Sequence, residues 1–114
     1  MSGMIYHMCP AETWAEAAAA GEYAGTADDQ RDGFIHFSTA DQIAESARRH
    51  RAGQTGLLLI TVDPARLGDR LRWETSRGGA LFPHLYGLLY PSEIENAESL
   101  PLGRNGAHIF PPLG

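Results

Sequence analysis

GFIHFST, residues 33–39, is the stretch on which the reading of the fold turns. It runs from a glycine through bulky apolar residues and one histidine to two hydroxyls. Successive side chains of a strand point to opposite faces, so Ile35 and Phe37 share an apolar face while Phe34, His36 and Ser38 share the other. Ile35 and Phe37 are core candidates; His36 and Ser38 face either solvent or a cleft. The stretch then meets a helix signal. Thr39-Ala40-Asp41-Gln42 fits the S/T-x-x-E/Q capping box, in which hydroxyl and amide satisfy orphan backbone donors. Ala40, Ile43, Ala44 and Ala47 follow at the spacing of an amphipathic helix. Arg48, Arg49 and Arg51 suit the negative end of its dipole, and Gly53 suits its stop.

Upstream, Met4–Met8 reads as a short strand. Pro10 suits the first turn of a helix over Thr13–Ala20, which Gly21 would end. The polar segment 22–32 reads as a loop. Downstream, residues 56–62 are apolar throughout and predict a central strand. Leu71–Glu74 predicts a strand or strand edge, and residues 82–90 a strand broken by Pro83 and Gly87. Beyond Ser92 the chain reads as loop with a short strand at Glu93–Glu95, and as mostly irregular from about residue 97. Two early helices and several short strands, without regular βαβ alternation, give an α+β fold. At 114 residues the chain is one domain, 1–114.

Composition narrows the partners. With 43% hydrophobic and 20% charged residues the chain is an ordinary globular one. Its formal net charge is −5, and all nine basic residues are arginine. Nucleic-acid affinity draws heavily on Lys and Arg neutralising phosphates, so no extended nucleic-acid surface is expected, whereas one or two arginines suffice for a single phosphate. Cys9 is the only cysteine, which removes an intrachain disulfide and a thiolate zinc site. The first residues lack a basic flank and an apolar stretch, and the longest apolar run, Leu57–Ile60, is far too short to span a membrane. A cytoplasmic protein without a membrane partner is expected.

No G-x-G-x-x-G, Walker loop, H-E-x-x-H or G-x-S-x-G is present. H-x-H and H-x-x-x-H pairs are also missing, so no metal site is expected. What remains is a set of polar residues at strand ends: His7, His36 with Ser38 and Thr39, Glu74, and His84 with Tyr86 on one strand face. A cleft lined by His7, His36 and His84 beside a helix N-terminus suits a ligand that carries phosphates and a ring. The bland alternative stands beside it: a strand histidine is commonly satisfied by a backbone carbonyl, and Ser38 or Thr39 by capping alone.

IYHM at 5–8, GFIHFST at 33–39, LLLITVD at 57–63, RWE at 72–74 and FPHLYG at 82–87 occur in one order. Together they resemble the small bacterial family called domain of unknown function 952, over Met4 to about Ile94. The resemblance implies a fold similar to that of the ADP-ribosyltransferases, a split, mixed β core that grips NAD between two small sheets. By the same resemblance His7 matches the first cofactor-lining position and His36, Ser38 and Thr39 the second, while either Glu74 or His84 fills the third. It implies His36, Glu74 and His84 as catalytic residues, with His7, Ser38, Thr39 and Tyr86 binding NAD as substrate or ligand. RNA 2′-phosphotransferases of that superfamily use a basic surface, which this acidic chain lacks.

Three functions follow from the resemblance taken together with these residues. The first is an ADP-ribosyltransferase-like domain that binds NAD or an ADP-ribose-like nucleotide in a histidine-lined cleft. The second is a non-enzymatic interaction module, which exposed Trp14, Trp73 or Tyr90 would favour. The third is a small-molecule enzyme with His36 as general base. Convergence of His7, His36 and His84 on one pocket separates the first and third from the bland reading.

Overall fold

Leu57–Val62 forms β4, and its alternation organises the molecule. Ile60 and Val62, with Leu58 packed alongside, belong to one apolar cluster; Leu57 and Leu59 belong to another. A strand with both faces in apolar surroundings lies inside a sheet, and β4 does, in a computed structural model that describes residues 3–113. It pairs antiparallel with β1 (Ile5–Pro10) on one side and β7 (Ile94–Leu100) on the other. A two-residue strand β3 (Ser38–Thr39) completes the sheet in the order β3-β1-β4-β7. A second, three-stranded sheet has the order β2-β6-β5, from Ile35–His36, Leu81–Leu85 and Leu71–Thr75.

The larger sheet is covered on both faces. Ile5 and Cys9 of β1 join Ile60 and Val62 of β4 against Ile35 and Leu85 of the smaller sheet and Trp14 of helix α1 (Ala11–Ala20). Tyr6, Met8, Leu57 and Leu59 face the other way and pack on Ile43 and Ala47 of helix α3 (Ile43–His50). GFIHFST joins the two sheets. His36 pairs with β6, Ser38 pairs with β1, and Phe37, buried in the core, marks the crossing. The Phe37 N–H donates to the Pro83 carbonyl at 3.0 Å. Pro83 therefore sits within the central strand of the small sheet, at the level where the chain leaves β2, and does not break it.

Several expectations are corrected. The polar segment read as a loop contains helix α2 (Ala27–Asp32), so three helices, not two, precede residue 51. Thr26 and Asp29 close a capping box: Asp29 N–H donates to Thr26 Oγ1 at 3.2 Å, and Thr26 N–H donates to Asp29 Oδ2 at 2.8 Å. Helix α3 begins at Ile43 rather than Ala40. Only the glutamine half of its anticipated box forms, with Thr39 N–H donating to Gln42 Oε1 at 3.0 Å. The helix ends at His50, before Gly53. Residues 94–100 form a full edge strand where mostly irregular chain was expected, its charged face consistent with a sheet edge. Every named strand pair is antiparallel, so the β core is split but not mixed. No helix among the described residues is long and apolar enough to cross a membrane.

Gly25 adopts φ +100°, and a Cβ built there would lie 2.6 Å from the Asp29 Cβ. Gly25→Ala thus combines left-handed backbone strain with a collision against the capping carboxylate. It is expected to lower stability by more than about 2 kcal/mol, read as a fall in the urea midpoint with unchanged slope.

Candidate functional site

His7 lies between Ile5 and Cys9 on the β1 face that meets the small sheet, and it is buried. Its Nδ1–H donates to the His36 carbonyl at 2.7 Å, which leaves Nε2 to accept the Tyr23 hydroxyl at 2.6 Å. Burial pushes His7 below the ordinary histidine range, against the opposing pull of Asp29, whose Oδ2 lies 3.6 Å from Nε2. Burial likewise pushes the Cys9 thiol up to about 11, although the thiol is hydrogen-bonded to Tyr23. The Tyr23 hydroxyl is raised well above its usual range, first by burial and then by Cys9. Cys9, Tyr23 and His7 thus form a neutral buried chain that ends on the backbone of His36.

Asp29, 3% exposed, sits in the first turn of α2. Its Oδ1 accepts from His36 N–H at 3.2 Å and from His36 Nδ1–H at 2.5 Å. Burial disfavours its charge, but the His36 hydrogen bond, the field of His7 and the Thr26 N–H outweigh it and hold the carboxyl below the usual range. The second ring nitrogen of His36 lies 3.1 Å from Asp32 Oδ2.

His84 stands directly opposite His36 on the β2·β6 ladder. Its Nδ1–H donates to Glu74 Oε1 at 2.8 Å, and the Tyr86 hydroxyl donates to the same oxygen at 2.7 Å. These two bonds hold Glu74 below the ordinary carboxylate range, and the bond to Glu74 raises Tyr86. Phe34 stacks on the His84 ring at 4.0 Å between centroids and lies 4.6 Å from His36, while the Arg72 guanidinium covers Tyr86. All these side chains occupy one face of the small sheet, the opposite face being given to Ile35 and Leu85 in the core.

A cleft of about 280 Å³ opens at the seam between the sheets and α3. His7, His36, Ser38 and His84 all line it, so the three histidines converge. Glu74 and Tyr86 do not line it; they stand behind His84 and fix its ring. Thr39 also lies outside it, its backbone engaged by Gln42. Glu74 and His84, the two alternatives for a third motif, are hydrogen-bonded to each other and form one unit. Ser38 Oγ bonds Ser46 Oγ at 2.9 Å rather than capping α3. Arg48 and Arg49 pair with Glu45 on the outer side of α3, but Arg51 turns inward, lines the cleft and lies 3.7 Å from Asp28. Asp29 and Tyr23 were not singled out from the sequence, and Arg51 was read there with Arg48 and Arg49 as matching the helix dipole; the Thr26-x-x-Asp29 box was the legible signal for Asp29. Among the described residues no three His, Cys, Asp or Glu side chains are grouped to hold a metal ion.

The chain belongs to the protein family of unknown function DUF952, whose model matches residues 8–97. It is similar to protein CC0527 from Caulobacter crescentus in its X-ray structure, at 42% identity over 93% of each chain with a TM-score of 0.90. The solution NMR structure of the same protein matches at 42% identity over 91% of this chain and 90% of that one, with a TM-score of 0.83. No curated protein matches the chain.

The depressed His7 sets a pH dependence of stability. In the unfolded chain this histidine takes up a proton near 6.5, and in the folded chain only at lower pH. Its contribution is complete above pH 6.5 and is lost as the pH falls towards the folded value; Asp29, below 3.8, adds a second loss at more acid pH. The urea midpoint should therefore fall as the pH is lowered below 6.5. His7→Gln, which keeps a donor for His36 and an acceptor for Tyr23, should flatten that fall; an unchanged slope would remove His7 as its source.

Proposed function

We propose that this member of the family is a nucleotide-binding domain of ADP-ribosyltransferase-like architecture, whose cleft takes NAD or an ADP-ribose-like ligand. The observation that carries the reading is the convergence of His7, His36 and His84 on one cleft at the seam between two small sheets. A split antiparallel core is consistent with a ligand held between sheets, and ligand sites favour such seams. The volume, about 280 Å³, suits one nucleotide unit, a ring with its ribose and phosphate, and leaves the rest of a dinucleotide over the rim. His84, braced by Glu74 and stacked on Phe34, offers a ring-binding wall; Arg51 offers the phosphate a cation. His7, with both nitrogens committed, supports the floor and is not a reacting group. The proposed working place is the cytoplasm, with a small nucleotide-like molecule as partner.

A second reading, a module acting through protein contacts, has one observation in its favour. Trp73 and Leu81 are exposed, at 46% and 52%, on neighbouring strands of the small sheet, and Tyr90 is exposed as well, whereas Trp14 is buried.

Calorimetric titration with NAD and ADP-ribose separates the two. Binding in the micromolar to sub-millimolar range is expected, with His84→Ala weakening it by at least about tenfold, or about 1.4 kcal/mol. No heat at millimolar nucleotide overturns the reading. Binding without nicotinamide release leaves a binding site without transferase turnover.

A further inference from the structure

The cleft carries more proton-transfer machinery than holding a nucleotide requires. His36 and His84 are cross-strand neighbours whose rings meet edge to face with centroids 5.6 Å apart. Each has its Nδ1 bonded to a carboxylate from a different element, Asp29 of α2 and Glu74 of β5. A carboxylate on Nδ1 fixes the tautomer and aims Nε2 at a reacting group. Among the described residues Nε2 of His84 has no hydrogen-bond partner, and no buried side-chain nitrogen or oxygen is left unpaired, so this atom reaches the open cleft. Nε2 of His36 faces Asp32, whose side chain is 38% exposed and which a ligand oxygen can displace.

Displacing nicotinamide from NAD calls for no such pair, because that leaving group departs neutral without taking a proton. Two neighbouring imidazoles, each held at Nδ1 by a carboxylate, match a reaction in which one oxygen loses a proton while another gains one. Elsewhere on its walls the cleft carries Arg51, which lies 3.7 Å from the half-exposed Asp28, and the Ser38 hydroxyl, groups that can turn to an anion. An anionic centre with an oxygen nucleophile and an oxygen leaving group is a phosphodiester.

We infer that the cleft opens 2′,3′-cyclic phosphodiesters of ribonucleosides, with His84 as general base and His36 as general acid. The inference rests on the nucleotide-binding reading above. His84 Nε2 takes a proton from water as the water oxygen bonds to phosphorus; the bond from phosphorus to O2′ breaks, and His36 donates its Nε2 proton to O2′. The product is a 3′-phosphomonoester with a free 2′-hydroxyl. Water is the only co-reactant, and the rings return to their starting states by exchanging protons with solvent. Asp29 and Glu74 are positioning residues, each also stabilising the imidazolium beside it. The charged and titratable groups that face the pair are Asp29 and Asp32 beside His36, Glu74 with Tyr86 and Arg72 behind His84, His7 under the His36 backbone, Asp28 and Arg31 of α2, and His50 and Arg51 at the α3 end of the cleft.

The test pairs turnover of 2′,3′-cyclic AMP with calorimetric binding of 3′-AMP. Hydrolysis to 3′-AMP with a bell-shaped pH profile of kcat/KM is expected. His36→Gln and His84→Gln should each lower kcat about 10²–10⁴-fold and remove one limb of the bell, a loss larger than any weakening of 3′-AMP binding. Glu74→Gln, at a half-exposed position, should lower kcat about tenfold or more and shift the same limb as His84→Gln, and it carries the test should a histidine variant fail to fold. Bound 3′-AMP without turnover overturns the acid–base pair and leaves the nucleotide reading standing. Neither binding nor turnover overturns both. Turnover that survives in both histidine variants also overturns the pair.

Discussion

Asp29 keeps a carboxylate where only 3% of the residue meets solvent, and N–H groups from Thr26 and His36 hold it there. A six-residue helix has little stability of its own; this carboxylate both closes the N-terminus of α2 and fastens it to β2. Through the His36 ring and carbonyl the same contact continues to His7, Tyr23 and Cys9. Removing one partner from a buried charged network costs about 3–5 kcal/mol, a large share of a small domain's stability. The candidate site is therefore not an addition to a finished scaffold. Its polar floor is part of what closes the seam between the sheets.

The charges are used unevenly, and this sharpens the site. The chain is acidic overall, yet in and beside the cleft Asp29, Asp32 and Glu74 are each engaged with a histidine ring. Carboxylates committed in this way hold and polarise imidazoles. Of the three arginines near the end of α3, two are neutralised by Glu45 on the outer surface and one is turned into the cleft. Net charge does not tell which arginine faces the cleft; the inward turn of Arg51, 3.7 Å from Asp28, does.

Period-two alternation made much of this legible. It separated Ile35 and Phe37 from His36, and it identified β4 as an inner strand, because burial imposes apolar residues on every face that is buried. It gave no account of α2, whose residues Ala27–Asp32 carry almost no apolar stripe and whose cap uses Asp29 in the place of Glu or Gln. It gave little of β7, an edge strand with Glu95 and Glu98 exposed or half-buried, where pairing rather than burial fixes the backbone. The site was legible as a set of residues and not as a set of bonds. Glu74 and His84 are ten positions apart, and their union depends on the register of β5 against β6, which no local pattern encodes.

Phe37 gives the molecule a property that neither sheet has alone. The strands it connects are only two residues long and belong to different sheets, and their partners, β6 and β1, come from distant parts of the chain. Neither ladder can be completed while the other is open, so the sheets share one cooperative transition instead of melting as separate units. The closure that brings Ile35–Thr39 into place joins residue 5 to residue 85, a long loop whose ordering entropy must be met before its contacts reward it. Amide protons of this segment should accordingly exchange near the global limit, making it among the last parts of the chain to open, even though it borders the cleft. A cleft wall of this kind is rigid by construction, and any widening of the cleft has to come from its other sides, α2 and the end of α3.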